Sequence, residues 1–375
     1  MAYEAAENKE IQLVKIIFVG ESWSGSCARS LKEALLRHSH IKLDEVSEDL
    51  FFPKHRAKWL RGVHRLLHKA YKQELYKQIL YRVDVFKPDF LMVYKGNSFD
   101  MEFIRQLRSL GVQTVNIYPD CSPHAYGEAH RIAVGEYDLV ISTKPFHRAL
   151  WQDVYGYSNV CNFVPQGYDP ALHLVASPPV AQPYDVALVA TWRPEYGGLI
   201  RRLAELLAGH GVKMAIGGNG WMQRRDEFPA DWVFAGELQG RSYINWLRQG
   251  KICVAPVTRE VLINGVRQPG DEDTTRTYEL AAAHCFFIHR RTDFVKTLYD
   301  ENEEVPLYDT PEELAEKILH YLAHPDERAR MAAQAHRRAV PAYSLDSRAD
   351  DVVTILAEQL DCSPSGALSL PVKPL

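Results

Sequence analysis

Short apolar runs rich in β-branched residues alternate with helical segments along most of this chain, and this alternation constrains its fold more than any other feature. The first run, residues 13–19 (LVKIIFV), is apolar apart from Lys15 and rich in β-branched residues, as expected of a buried parallel strand. Gly20 ends it, and a small-residue turn, 21–27 (ESWSGSC), leads into a helix predicted over 28–37. Strand, turn and helix predict a Rossmann-like unit. Because the turn lacks G-x-G-x-x-G, it does not predict dinucleotide binding.

Ser24 and Gly25 lie at the centre of that first turn. Two interpretations stay open for them. One is a loop that lines a ligand cleft below the start of the helix, and the other is an ordinary tight connection between strand and helix.

The alternation occurs twice, which predicts two α/β domains in a chain of 375 residues. Residues 1–170 form the first domain, the proline-containing segment 171–183 a linker, and 184–345 the second domain. A terminal amphipathic helix, 346–360, crosses back toward the first domain, and 361–375 form a disordered tail. The predicted strands are 41–46, 89–94, 112–118, 138–142 and 160–164 in the first domain, and 185–191, 212–217, 232–236, 251–256 and 285–289 in the second. Two doubly wound domains facing each other create a central cleft, which is the expected ligand site.

The composition is that of a soluble globular protein, with 46% hydrophobic and 25% charged residues. A net charge of −4 gives no overall attraction to nucleic acid. The six cysteines show no metal-ligand spacing, which favours reduced thiols. The polar start is not a signal peptide, and no apolar run approaches the ~18 residues of a spanning helix. We therefore expect a cytoplasmic protein without a cofactor.

Residues 54–82 form a basic segment with nine Lys or Arg residues and one acid, Glu74. Apolar residues recur in it at helical spacing, including Leu67 and Ala70, and predict one or two amphipathic helices with a core-facing stripe and a cationic face. Such a face suits peripheral contact with an anionic membrane or a phosphorylated acceptor. Nucleic acid is a less favoured partner, and a merely solvated face is equally consistent with the pattern.

The loop 119–124 (PDCSPH) follows a predicted strand, and ligands of open α/β sheets bind at the carboxyl ends of strands. Asp120 and His124 are therefore candidates for contact with an acceptor. The alternative is that both are turn or capping residues.

Residues 271–291 combine an acidic loop, a short helix and an apolar strand. Asp271 and Glu279 are separated by seven residues, with Arg276 between them. A carboxylate can accept hydrogen bonds from a diol, and a guanidinium beside a helix N-terminus attracts phosphate, so this pattern suits a sugar nucleotide. The alternative is a surface ion pair between Arg276 and Glu279.

The second half of the chain resembles the nucleotide-sugar domain of GT-B glycosyltransferases, specifically the spore-maturation CgeB-like group. The matching segments are Pro194-Glu195, 233–236 (VFAG), 275–279 (TRTYE), and 309–328 (DTPEELAEKILHYLAHPDER). In the first half, 137–140 (YDLV) and 164–170 (VPQGYDP) are also similar. The resemblance implies the GT-B fold for the two predicted domains.

The resemblance also implies roles for individual residues. Glu279 matches the second acid of the E-x7-E pattern, which binds the donor ribose, and Asp271 stands at the first acid, one methylene shorter. Arg276 would hold the diphosphate. Tyr196 stands where the group has an arginine, for which Arg193 compensates in this interpretation. His284 replaces a small residue and suggests a shifted donor pocket.

Three further residues, Thr275, Gly218 and Gly236, lie in or beside the segments of the second domain and are predicted on the donor side. The string Asp271-Glu272-Asp273 satisfies D-x-D, a metal motif of another glycosyltransferase fold, but it lies in a loop before a helix and the match is interpreted as accidental. GT-B enzymes hold the leaving diphosphate with cations and helix N-termini, so no metal is predicted.

These inferences predict a metal-independent glycosyltransferase, with retention at the anomeric carbon favoured by the resemblance. Its partners are a nucleotide-sugar donor and an acceptor such as a glycan or lipid-linked sugar. Two alternatives remain: a non-catalytic two-domain protein that binds a sugar or nucleotide, and a glycosyltransferase acting on modified nucleic acid.

Overall fold

The structure is a computed structural model that describes residues 13–52, 58–179, 181–263 and 265–361. Its first sheet has six parallel strands in the order β2-β1-β3-β4-β5-β6. The strands are β1 Val14–Gly20, β2 Ile41–Ser47, β3 Phe90–Tyr94, β4 Gln113–Tyr118, β5 Leu139–Ser142 and β6 Val160–Phe163. The accompanying helices are α1 Cys27–Arg37, α2 Lys58–Phe86, α3 Met101–Ser109, α4 Glu128–Val134 and α5 His147–Tyr155.

A second sheet, in the order β14-β13-β10-β7-β8-β9, is also parallel. Its strands are β7 Tyr184–Val189, β8 Met214–Gly217, β9 Val233–Phe234, β10 Gly250–Ala255, β13 Phe287–Arg290 and β14 Leu307–Tyr308, with β11 Glu260–Ile263 and β12 Val266–Pro269 forming a separate antiparallel hairpin. The helices are α6 Pro170–His173, α7 Pro194–Leu206, α8 Gly240–Leu247, α9 Thr275–Ala282, α10 Asp293–Leu298, α11 Pro311–Ala323, α12 Pro325–Ala339 and α13 Leu345–Asp361.

The first sheet is covered on both faces, which explains why β3 and most of β1 are apolar without alternation. Alternate residues of β1 belong to different clusters: Ile17 and Val19 pack with α2 and α3, whereas Ile16 and Phe18 pack with α1. A strand places successive side chains on opposite faces, so a strand buried on both sides has no polar positions to alternate with.

The terminal helix α13 returns to the first domain. Ala349, Val352, Val353 and Leu356 belong to the same buried cluster as Val14 and other residues of the first sheet. The predicted fold, two doubly wound α/β units with a helix that crosses back, is confirmed.

The domain limits at 170, 183 and 345 stay predictions, although the first sheet ends at Phe163 and the second begins at Tyr184. The predicted tail beyond Asp361 lies outside the described residues, as do residues 54–57 of the basic segment. Among the helices that the structure describes, none is both long and apolar enough to cross a membrane.

The predicted core-facing stripe of the basic segment is wrong in its first half. Leu67 and Ala70 are exposed, whereas the second half of α2 packs on the core through the buried Leu75, Ile79 and Val83 and the partly buried Tyr76, Leu80 and Phe86. The spacing in both halves is helical, so periodicity alone could not tell which half the rest of the fold covers.

The sequence analysis also missed the hairpin of β11 and β12. Asn264-Gly265 between apolar residues is a strong two-residue hairpin signal, and Gly265 has the positive φ of 80° that such turns require. The helix α7 begins at Pro194. Proline is well suited to the first helical position, because the N–H it lacks would have no helical partner there.

Candidate functional site

A cleft of about 470 Å³ lies between the two domains, at the carboxyl ends of strands from both sheets. Parallel α/β sheets bind ligands at this edge. The first domain contributes Gly25, Cys27, Lys95, Asp120, Cys121 and Lys144 to its lining, and the second contributes Arg193, Val261, Asp271, Thr274 and Thr275. The cleft therefore collects both acids and cations from segments far apart in sequence.

The helix α9 opens into the cleft with Thr274 at its N-cap and Thr275 as its first residue. The Thr277 hydroxyl accepts a hydrogen bond from the Thr274 N–H at 3.1 Å. The first N–H groups of a helix lack internal partners and carry partial positive charge. This end of α9 can therefore receive an anion.

Arg276 forms hydrogen bonds with backbone carbonyls at the carboxyl ends of two strands. Its guanidinium donates to the Val189 carbonyl after β7 at 3.2 Å and to the Pro256 carbonyl after β10 at 3.0 Å. Arg276 is not among the residues that line the cleft. Its charge therefore lies near the N-terminus of α9 but outside the cleft lining. The surface ion pair with Glu279, which was the alternative interpretation of the sequence, is not formed.

Glu279 is 7% exposed and is held by two other side chains. Its carboxylate accepts a hydrogen bond from the Tyr243 hydroxyl at 2.7 Å and lies 3.6 Å from the His173 ring. Burial and the nearby Glu279 charge raise the pKa of Tyr243, so that this hydroxyl stays a donor. Glu279 does not line the cleft, but its charge contributes to the raised pKa of the cleft residue Cys27, to about 11, where burial is the main cause.

Asp271 forms an ion pair across the domain boundary. Lys144, at the end of the first domain's β5, lies 2.6 Å from the Asp271 carboxylate and 3.7 Å from the fully buried Asp273. Burial alone would lower the pKa of Lys144, but Asp273 and Asp271 outweigh it and raise the pKa. Burial raises the pKa of Asp273, whose other oxygen accepts a hydrogen bond from Tyr278.

Two cleft cations, Lys95 and Lys144, were missed by the sequence analysis. Lys95 follows β3 and has an unusual φ of 65°, and its ammonium group makes no hydrogen bond or ion pair with the described residues. Backbone strain of this kind is concentrated at functional sites. Lys95 directly follows a predicted strand, and Lys144 lies two residues beyond another, which was the available signal, since that edge carries ligands.

The two candidates for acceptor contact lie in different places. Asp120 lines the cleft and accepts a hydrogen bond from the Tyr126 hydroxyl at 2.9 Å. His124 is not part of the lining; its ring lies 3.5 Å from the Glu128 carboxylate and 5.4 Å, between centroids, from Tyr155. Asp120 is thus the better placed of the two.

The turn with Ser24 and Gly25 reaches the second domain. A Cβ at Gly25, which has a φ of 95°, would lie 2.8 Å from the Gly240 nitrogen at the start of α8. Gly25 lines the cleft, and Ser24 lies against Gly240 outside the lining. Both interpretations of this turn therefore apply. Gly25 borders the cleft, and the turn packs tightly against the start of α8.

Of the remaining donor-side candidates, Arg193 lines the cleft as the N-cap residue of α7 and donates to the Thr258 hydroxyl at 3.3 Å. Gly218 and Gly236 do not line it. A Cβ at Gly218 would lie 2.1 Å from the Ala190 carbonyl, and the Gly218 N–H donates to the Gly236 carbonyl at 2.9 Å. Their geometry supports a structural role beside the site.

His284 lies beyond the last residue of α9, at the end opposite the cleft. Its ring stacks on His336 with centroids 3.4 Å apart, and its φ is 53°. A substitution here acts on the packing of α9 against α12 rather than directly on the cleft lining.

Among the described residues, one group of three side chains has metal-ligand spacing, namely His320, His324 and Glu327, whose ligand atoms lie within 4.8 Å of one another. It lies at the junction of α11 and α12, and none of the three lines the cleft.

Comparison with known proteins agrees with this geometry. Residues 195–354 match a family described as glycosyl transferase-like. Sucrose-phosphate synthase from Thermosynechococcus elongatus has a similar structure, with a TM-score of 0.64 at 16% identity, covering 93% of this chain and 100% of that one. No curated protein matches the sequence significantly.

Two other similar structures have titles that name UDP compounds. Anabaena Alr3699/HepE in complex with UDP-glucose has a TM-score of 0.63 at 14% identity, covering 92% of this chain and 99% of that one. A putative UDP-N-acetylglucosamine 2-epimerase from Listeria monocytogenes has a TM-score of 0.57 at 10% identity, covering 96% and 100%. The chain has the predicted GT-B fold, and the match of residues 195–354 to the glycosyl transferase-like family supports the prediction of a glycosyltransferase.

Proposed function

We propose that the chain transfers a sugar from a nucleotide-sugar donor to an acceptor bound in the interdomain cleft, in the manner of the CgeB-like group. One observation carries this proposal: the N-terminus of α9 and Arg193 meet in the cleft, within or beside the segment that matches the glycosyl transferase-like family. Positive charge from a helix start and a guanidinium is what a leaving diphosphate requires.

The donor is bound mainly by the second domain in this proposal. Arg193, Thr275 and the free N–H groups of α9 contact the diphosphate, while Glu279 accepts hydrogen bonds from the ribose hydroxyls. His173 and Tyr243 hold the Glu279 carboxylate in place, which lowers the entropy lost on binding. Arg276 is committed to two carbonyls and acts through its charge, by stabilising the departing diphosphate.

The reaction needs no metal in this proposal. Lys144 already lies between Asp271 and Asp273, the two acids of the D-x-D string, and supplies the charge that a divalent ion would supply there. Lys95 adds a second cation from the first domain. A nucleoside diphosphate leaving group can therefore be stabilised by the side chains of the cleft alone.

Retention at the anomeric carbon is also proposed, because it requires no strong base on the acceptor side. The acceptor oxygen bonds to the anomeric carbon on the face from which the phosphate oxygen departs. The departing phosphate oxygen takes the acceptor's proton. Asp120 orients the acceptor hydroxyl. His124, which does not line the cleft, acts on the acceptor indirectly.

The acceptor is expected at an anionic membrane surface on the cytoplasmic side, because of the composition of α2. Leu66 is 85% exposed beside basic residues such as Lys69, an arrangement that suits peripheral lipid contact. Modified nucleic acid is the less favoured acceptor. Binding to anionic vesicles but not to DNA at matched salt is the expected result.

The proposal is tested by incubating the protein with UDP-, GDP-, ADP- and TDP-sugars and measuring nucleoside diphosphate release and the anomeric configuration of the product. Release with at least one donor, a retained configuration and unchanged rates in EDTA are expected. Strong inhibition by EDTA would overturn metal independence. Epimerised nucleotide sugar without release would overturn sugar transfer itself.

A further inference from the structure

A second pocket of about 240 Å³ lies at the carboxyl ends of β10, β13 and β14, beside the cleft but with different lining residues. Its lining includes Arg259, Arg290, Tyr308, Glu195 and Tyr196. The first turn of α7 separates the two sites: its N-cap residue Arg193 lines the cleft, whereas the residues that follow line this pocket.

Arg290 is the unusual residue of the pocket. It is only 8% exposed, yet its Nε and Nη2 atoms have no hydrogen-bond partner. Its guanidinium lies over the Tyr308 ring, 5.3 Å from the ring centre. A guanidinium does not lose its proton in proteins, so burial cannot neutralise it and an uncompensated charge is costly.

The acids that line the pocket hold other groups. Asp309 lies 2.7 Å from Arg291 and 3.5 Å from Arg259, and Glu195 accepts a hydrogen bond from the Arg259 backbone N–H at 3.3 Å. Arg290 therefore lines the cavity without an ion pair to either of these acids.

Two helices begin at the pocket. Glu195 and Tyr196 are in the first turn of α7, whose N-cap residue makes no side-chain capping bond. Pro311 is the first residue of α11, which Thr310 caps by accepting a hydrogen bond from the Glu313 N–H at 3.1 Å, so only α7 leaves its first turn without a side-chain cap. Uncapped N–H groups at a helix start favour an anion, and the buried guanidinium offers the fork of donors that binds a tetrahedral oxyanion in bidentate fashion.

We propose that this pocket is a phosphate site, with Arg290 as its main ligand and Arg259 at its rim. The phosphate comes either from a free phosphate or phosphomonoester, or from the phosphate chain of a nucleotide whose other end lies at Arg193. The inference rests on the Arg290 geometry and does not depend on sugar transfer.

The test is a thermal-unfolding titration of the full chain with millimolar inorganic phosphate against chloride at equal ionic strength. The wild type is expected to show a saturable rise in melting temperature. In Arg290→Gln the apparent Kd should increase at least about tenfold, as expected for the loss of a charge-assisted hydrogen bond. Arg201→Gln, at an exposed arginine paired with Glu227, should behave like the wild type.

If Arg290→Gln does not fold, Arg259→Gln replaces it, because the Arg259 side chain is 56% exposed. Weaker phosphate binding is expected here too. Repeating the titration with saturating UDP separates the sources: loss of the phosphate effect indicates a shared nucleotide site, and additive shifts indicate a separate one. A wild type without a saturable response, or an Arg290→Gln variant with an unchanged Kd, would overturn the site.

Discussion

Glu279 illustrates how much a single side chain depends on partners that are distant in sequence. From the sequence, Arg276 is a candidate partner for Glu279, because it is three residues away. In the structure Glu279 contacts His173 and Tyr243 instead. A carboxylate has about four lone-pair sites, so Glu279 keeps the capacity to accept further hydrogen bonds beside that from Tyr243.

We predict that Glu279→Gln lowers kcat/KM for the donor about 10- to 100-fold, because a ribose diol loses charged acceptors while the side chain keeps its shape. Steady-state kinetics of nucleoside diphosphate release measure this. Glu205→Gln, at an exposed glutamate paired with Arg202, is the matched control. Equal activity of both variants would remove Glu279 from the donor site.

His284 makes stability depend on pH. Burial, His336 and Arg248 lower its pKa from the ordinary 6.5 to about 4. Between these values the unfolded chain binds more protons than the folded one, so the folded state loses stability as pH falls from about 6.5 to about 4.

We therefore predict that His284→Asn reduces the fall in urea midpoint between pH 7 and pH 5, since asparagine tolerates a positive φ and does not titrate. His210→Asn, at an exposed turn position, should keep the wild-type dependence. Identical pH profiles for all three proteins would contradict the assignment.

At the scale of elements, the points at which α7 and α9 begin determine which of their residues line the cleft. Each places an N-terminus at the edge of the second sheet, and together they supply Arg193, Thr274 and Thr275 to one cleft. The hairpin of β11 and β12 adds Val261 to the same lining, and its Gln268 donates to Tyr155 of the first domain.

The helix α2 gives a prediction at this scale. If its exposed half docks on anionic lipid, Lys69→Gln should weaken vesicle binding about fivefold, corresponding to ~1 kcal/mol per basic residue. Sedimentation with vesicles containing anionic lipid measures this. Lys213→Gln on the second domain is the control. Equal binding of both variants, or none by the wild type, would contradict the docking proposal.

At the scale of the molecule, the buried contact of Lys144 with Asp271 and Asp273 joins the two domains. Lys144 is 2% and Asp273 0% exposed at the side chain, so both charges depend on the contact. The Cys121 thiol donates to the same Asp271 oxygen at 3.0 Å. Domain arrangement and the ionisation of the cleft are therefore linked.

We predict that Lys144→Met destabilises the chain by about 3–5 kcal/mol, because it leaves buried acids without their cation. Lys251→Met, which removes a 2.7 Å pair with Asp185 at a half-exposed position, should cost at most ~1 kcal/mol. Chemical denaturation of both variants makes the comparison. Similar losses would mean that the interdomain pair is not energetically special.

The sequence by itself determined the alternation of strands and helices, and with it the fold class, because each buried parallel strand is recorded locally as an apolar run. It also placed Asp120, Asp271 and Thr275 on segments that meet at one edge of the sheets. Strand ends were predicted to within a few residues, for example 41–46 against Ile41–Ser47.

Only the tertiary structure decided which charges meet. Lys144 and Asp271 are 127 positions apart, and their pairing across two domains leaves no local pattern in the sequence. The same holds for the unpartnered Arg290, because its burial depends on neighbouring strands and helices rather than on its own segment. Periodicity records whether a residue faces a core, whereas the partner it finds there is set by the packing of distant elements.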